Sequence, residues 1–214
     1  MEGKIITVDD KKWVDWLVRL QSLAQAGLAY GRGRDKYDIE RFNEIREISV
    51  AMMAELSQLP AQKVADLFAN ETGYQTPKID TRAAIFQEDK ILLVQEANGK
   101  WALPGGWCDV DQSVAENTFK EVKEEAGLDV QLERVIAIQD REKHNQPVSA
   151  HKICKIFSVC HAKGGQFTKN LETIASGYFA CDNLPELAES KTTKEQITMC
   201  FAAYHDENWK TLID

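Results

Sequence analysis

The chain has 214 residues, is 43% hydrophobic and 28% charged, and carries a formal net charge of −8. These figures suit a globular protein of one large or two small domains. No apolar run approaches the roughly 20 residues a membrane helix needs, so no membrane partner is expected, and the acidic balance argues against the basic footprint of a nucleic-acid binder.

The N-terminal MEGKIITVDDKK has neither an apolar h-region nor a cleavage site. No secretory leader is expected, and the cytoplasm is the expected location. Five scattered cysteines with no C-x-x-C pair fit reduced, buried thiols better than a disulfide framework or a zinc site.

Residues 1–73 read as a small all-helical domain. Trp13, Trp16, Leu17, Leu20, Leu23 and Leu28 recur at helical spacing, and Gly27, Gly31 and Gly33 are expected to break that helix. A second helix carries Ile39, Phe42, Ile45, Ile48, Met52 and Leu56. Pro60 is expected in the first turn of a third helix, which Gly73 would end. The apolar stripes predict burial against a second copy, making this domain a dimerisation element. Residues 74–81 read as a linker and residues 82–214 as a second domain.

After the linker the period changes. AAIF, a polar turn at residues 87–90 and ILLVQE predict a β-hairpin. VIAI, HKICKIFSVC and GYFA are further strands, with helices at residues 113–126 and near residues 194–204. Strands interleaved with helices give an α/β or α+β domain.

Residues 105–127, GGWCDVDQSVAENTFKEVKEEAG, carry the chemistry. Ser113 and Glu116 form a capping-box pattern, and Gly127 stands where a helix stops. Ala115, Phe119, Val122 and Ala126 fall on one side of that helix. Glu121, Glu124 and Glu125, at i, i+3 and i+4, share another. Their mutual repulsion is relieved most simply by a cation, and Mg²⁺ or Mn²⁺ prefers such oxygen ligands. The loop LPGGWCDV precedes the helix, and together they make a plausible cradle for phosphate and metal. Trp101 and Trp107 flank the glycines, where the alternatives are stacking on a nucleobase and packing in the core or loop.

Residues 106–128 resemble the Nudix box, G-x5-E-x7-R-E-U-x-E-E-x-G-U, with U a bulky aliphatic. Gly106, Glu121, Val122, Glu124, Glu125, Gly127 and Leu128 match, while Gln112 replaces the Glu and Lys120 the Arg. Residues 20–85, WALPGGWCDV and DREKH also look like Nudix hydrolases with a helical N-terminal domain.

The resemblance implies an α/β/α sandwich around a mixed sheet. It implies Mg²⁺ or Mn²⁺ held by Glu121, Glu124 and Glu125, with the Gly105 carbonyl a further ligand and Glu121 handling the attacking water's proton. The substrate would be a nucleoside diphosphate linked to another group, of the CDP-choline or ADP-ribose type, and the protein a homodimer. In the family the Glu and Arg brace loop to helix, so Gln112 and Lys120 imply a looser loop; Lys120 has Glu124 as another partner at i+4.

Ala175 stands where many relatives offer an acidic residue, which leaves Glu172 as the nearby candidate base. Arg141, Lys143 and His144 form a basic cluster expected to face substrate phosphates. The competing reading is a nucleotide-sensing regulatory protein whose helices bind DNA. Residues 1–77 hold ten Lys or Arg against twelve Asp or Glu, so the basic footprint that reading needs is missing.

Overall fold

A computed structural model describes residues 8–30, 35–149 and 151–214. Six helices and seven strands are present among them. The chain divides into two compact units, Met1–Pro77 with Pro147–Lys152, and Lys78–Gln146 with Ile153–Asp214.

The first unit is helical: α1 (Val8–Tyr30), α2 (Lys36–Ser57) and α3 (Ala61–Phe68). Val14, Leu17, Met53, Val64 and Phe68 form its core, and Val148 from the returning segment packs against them. Lys152 in the same segment pairs with Asp15 at 3.1 Å.

Gly27 does not break α1. It lies inside the helix, where a Cβ would sit 2.6 Å from the Phe42 ring, so its small size serves the packing of α1 on α2. The breaks expected at Gly31 and Gly33 fall outside the described residues. Pro60 is the N-cap of α3 rather than a residue of its first turn. The helix ends at Phe68, with Ala69 as C-cap, well before Gly73. Arg46 donates to the Ala69 carbonyl at 2.5 Å, satisfying a group that the helix end leaves unpaired.

The second unit is a mixed sheet between two helices. Strand β1 (Lys78–Gln87) begins five residues before the expected AAIF, because Asp80 and Thr81 are buried parts of the sheet rather than linker. It turns into β2 (Lys90–Glu96) through Glu88 and Asp89, both at positive φ as a tight hairpin requires. Then come β3 (Trp101–Ala102), α4 (Val114–Ala126), β4 (Leu128–Asp140), α5 (Arg141–His144), β5 (Ile153–Gly165), β6 (Thr173–Phe179), α6 (Lys194–His205) and β7 (Leu212–Ile213).

The two-residue period of the strands sorts the core into two layers. Ala83, Ile85, Leu92 and Val94 face Val122 and Ala126 of α4. Ala84, Ile91 and Leu93 face the other way, onto Ile197, Cys200 and Phe201 of α6. The sheet order is β3-β2-β1-β5-β4-β7, with β6 also paired to β2. The five cysteines are free thiols, and burial pushes that of Cys160 up to about 12. No described helix is long and apolar enough to cross a membrane.

One departure from regular pairing builds the site. β1 and β2 are in register only at Phe86 with Ile91 and Gln87 with Lys90. Beyond that they diverge, β1 lying parallel to β5 and β2 antiparallel to β6. Residues 104–108 run along the edge of β1 that is thereby opened. Ala83 N–H donates to the Pro104 carbonyl, Thr81 N–H to that of Gly106, and Cys108 N–H to that of Ile79.

Gly105 lies in this stretch at φ +141, where a Cβ would fall 1.9 Å from the Thr81 carbonyl oxygen. Backbone strain and a clash with backbone act together at this position. Gly105→Ala should therefore lose about 3 kcal/mol or more of stability in chemical denaturation. A transition at the wild-type denaturant concentration would refute this account of the loop.

Candidate active site

Helix α4 is fixed at both ends. Ser113 and Glu116 form the reciprocal capping box, and Gly127 closes the helix at φ +71. Its buried face differs from the predicted apolar stripe. Ala115 and Phe119 are only partly buried, while Asn117, Thr118, Val122 and Ala126 are buried. This rotation turns Glu121 and Glu125 inward.

The three glutamates are consequently unequal. The Glu121 side chain is 13% exposed and that of Glu124 55%. Glu125 accepts the Gly105 N–H at 2.7 Å. Burial pushes its carboxyl up to about 7, against the pull of the Gly105 N–H and the Arg82 guanidinium. Burial also raises Glu121, with Lys120 opposing it. A Cβ on Gly106 would lie 2.6 Å from a Glu121 carboxylate oxygen, so both glycines admit a carboxylate close to the loop backbone.

A group of charges beneath the loop supports this arrangement. Arg82 forks onto Asp80 at 2.8 and 3.1 Å and donates to the Leu103 carbonyl. Lys155 meets Asp80 at 2.8 Å from the other side. Burial alone would raise Asp80, but Arg82 and Lys155 outweigh it and hold the carboxyl below its usual range. Burial beside Arg82 brings Lys155 down to about 8. Two cations against one anion leave a positive surplus next to Glu121 and Glu125.

The brace between loop and helix is present with a different partner. Lys120 pairs with Asp109 at 2.7 Å, and lies 3.8 Å from Glu124. The Glu124 partner expected at i+4 is within ion-pair reach, while the shorter contact is to Asp109. Asn117 adds a second tie, accepting from Asp109 N–H at 3.1 Å and donating to the Thr81 hydroxyl at 3.0 Å.

Glu121, Glu124, Glu125 and Gly105 line an open cleft of about 650 Å³, together with Trp107 and Glu172. The segment bearing Glu172 is docked on the end of α4: Asn170 donates to the Glu124 carbonyl at 2.7 Å, and the Thr173 hydroxyl to that of Glu125 at 2.9 Å. Ala175 pairs with Gln95 inside the sheet. Trp101 packs edge-on against Phe179, which makes it a packing residue.

Arg141, Lys143 and His144 are not among the described cleft residues. Arg141 is buried and pairs with Glu142 at 2.8 Å, and His144 meets Asp214 at 2.9 Å, so acidic neighbours take the charges expected to meet phosphate. Sequence reasoning missed Arg82, Glu96, Asp109 and Lys191, which do line the cleft. Local spacing carried no signal for them, because they come from four separate stretches of chain.

Among the described residues, no three Asp, Glu, His or Cys side chains are already drawn in around one point. The donor set still fits a hard divalent cation. It offers carboxylates from one helix and a loop carbonyl, and two of those carboxylates are raised by burial.

Comparison with known proteins agrees with this geometry. Residues 11–68 match the family described as a UDP-X-like N-terminal oligomerisation domain, and residues 76–199 match the NUDIX domain. The chain is 40% identical to a putative ADP-ribose pyrophosphatase of Bacillus subtilis, over 95% of this chain and 97% of the relative. A crystal structure of a UDP-X diphosphatase is similar at TM-score 0.62 and 32% identity, over 95% of this chain and 98% of that one. An ADP-ribose pyrophosphatase structure from Streptococcus suis shares 57% identity at TM-score 0.62, over 65% of this chain and all of that one. The chain belongs to the NUDIX family and is a Nudix pyrophosphohydrolase carrying the helical N-terminal domain of the UDP-X-like group.

Proposed function

We propose that the protein hydrolyses the pyrophosphate link of a nucleoside diphosphate joined to another moiety, of the ADP-ribose or CDP-choline type, with Mg²⁺ or Mn²⁺. The observation that carries this reading is the joining of the glycine loop to the acidic helix, Gly105 N–H to Glu125, at the wall of the cleft. The names of the full-length relative and of the two solved structures support the substrate class. A nucleotide sensor would not require the retained carboxylate trio.

Glu121, Glu124 and Glu125 would hold the cation, with the Gly105 carbonyl as a further donor. When bound, such a cation neutralises charge on phosphate oxygens and makes water a better nucleophile. The chain's own residues position the rest. Gly105 N–H orients Glu125, and the buried Arg82 offsets the repulsion between Glu121 and Glu125. Glu121 is the first candidate to take the water's proton. Glu172, on the segment docked against the end of α4, is the second, and Trp107 offers a ring for the base.

Glu124→Gln and Glu125→Gln should each lower kcat/KM with Mg²⁺ by about 100-fold or more, and chelation should abolish turnover. Wild-type rates in these variants, on a panel of nucleoside diphosphate derivatives, would overturn the site assignment.

The brace supports a second test. Asp109→Ala frees Lys120 and loosens the loop over the helix, and should reduce kcat/KM roughly 10-fold. Gln112→Ala should change it little. Equal effects from the two variants would place the brace back on Gln112.

The oligomerisation domain is proposed to form a homodimer. Its α1 exposes Trp13, Trp16, Leu20 and Leu23 at helical spacing, and α2 exposes Ile45, Ile48 and Met52. Light scattering should give twice the 24.2 kDa chain mass at micromolar concentration, and Trp16→Glu with Leu20→Glu should halve it. A wild-type monomer would remove this proposal.

A further inference from the structure

The cleft also carries a cation that the sequence did not single out. Lys191 meets Glu96 at 2.6 Å, and both line the cleft. The other cations described there are committed. Arg82 is buried against Asp80 and the Leu103 carbonyl, and Lys120 holds Asp109. Lys191 differs from Arg82 in having a partly exposed side chain, and from Lys120 in pairing with a carboxylate that does not belong to the glycine loop. Its N–H donates to the Ala188 carbonyl at 2.7 Å, and its own carbonyl accepts from buried Lys155 at 2.6 Å. The next residue, Thr192, accepts the Leu103 N–H at 3.1 Å, one position before Pro104 of the glycine loop.

Glu96 is equally prepared. Its second carboxylate oxygen accepts from Asn98 at 3.1 Å, so the carboxylate stays in place if Lys191 leaves it. The Lys191 ammonium is thus parked against a replaceable anion in the same cleft as the helix carboxylates that would hold the cation. A partly exposed pair of this kind contributes little to stability. A diphosphate brings non-bridging oxygens of greater charge density, to which an ammonium donates as a compact point charge.

We propose that Lys191 is a substrate-binding residue that exchanges Glu96 for the non-bridging oxygens of the substrate's diphosphate. This rests on the pyrophosphohydrolase reading above. Substrate binding would break the Lys191–Glu96 ion pair and form an ammonium–phosphate one, with no covalent step. Glu96 then acts as a competitor, which tunes affinity and holds the lysine ready.

The test uses the full-length protein and two readouts. Calorimetric titration with inorganic pyrophosphate in the presence of Mg²⁺ should show Lys191→Gln binding at least about tenfold more weakly than wild type. Steady-state kinetics on ADP-ribose, or on whichever panel compound the wild type cleaves, should show KM raised by a similar factor with kcat changed less than about threefold. Lys191→Arg should restore most of the loss, and Glu96→Gln should lower KM below wild type. A purely structural salt bridge predicts otherwise: Lys191→Gln and Glu96→Gln would shift the melting temperature together and leave KM and pyrophosphate affinity unmoved. That result overturns the proposal, as does a wild type that binds no pyrophosphate. A wild type that binds pyrophosphate through Lys191 but cleaves no panel compound would instead sink the hydrolase substrate reading and leave the anion site standing.

Discussion

The separation of β1 from β2 is the constraint on which the site depends. Two antiparallel strands that stayed paired would leave no edge for residues 104–108. Because the pairing stops beyond Phe86 and Ile91, β1 offers its edge groups to the loop, which takes them through the carbonyls of Pro104 and Gly106. Those two carbonyls face β1, while the Gly105 N–H goes to Glu125. Only glycine fits there, since any Cβ would meet the Thr81 carbonyl. One backbone segment therefore sets both the sheet edge and the orientation of a carboxylate on α4.

That geometry needs electrostatic support. Glu121 and Glu125 face inward on a short helix, and burial makes each harder to ionise. The Asp80–Arg82–Lys155 group lies under the same loop and carries one surplus positive charge. Arg82 alone would be an unpaired buried cation; Asp80 holds it, and Lys155 holds Asp80. Lys155 also reaches the carbonyl of Lys191, so a continuous set of polar contacts runs from beneath the glycine loop to the approach of α6. Cleft walls that are distant in sequence are fixed relative to one another by this buried chain.

Features set by nearest neighbours were legible in the sequence. The capping box at Ser113, the stop at Gly127 and the hairpin between Phe86 and Ile91 follow from local rules. Features set by distant contacts were not. Gly27 reads as a breaker by propensity, yet tertiary packing against Phe42 keeps it in α1. Leu128, Val130 and Leu132 do alternate, but their partly exposed strand follows the helix with a single glycine between them, so the motif drew attention away from the strand. The brace was misassigned because a family pattern names one position. Lys120 instead finds Asp109, three residues upstream of Gln112, where the loop turns back and Gln112 N–H donates to the Asp109 carbonyl. In DREKH, Arg141 is paired with the adjacent Glu142, and His144 meets Asp214, seventy residues away in sequence and beyond the reach of local spacing.

The charge distribution in the cleft bears on how it handles an anionic ligand. Glu96, Asp109, Glu121, Glu124, Glu125 and Glu172 line it, against Arg82, Lys120 and Lys191 among the described residues. A bare diphosphate entering this field would meet net repulsion, and with a chain charge of −8 the long-range field offers no compensation. Cations that arrive with the substrate or precede it would reverse the local sign around the α4 carboxylates. Lys191 also acts on Glu125, so the lysine and the helix carboxylates share one field. A lysine already neutralised by a carboxylate is easier to keep partly buried while the cleft is empty. A division of labour follows: bound metal would offset the carboxylates of the helix, and the lysine offsets the carboxylate of the strand.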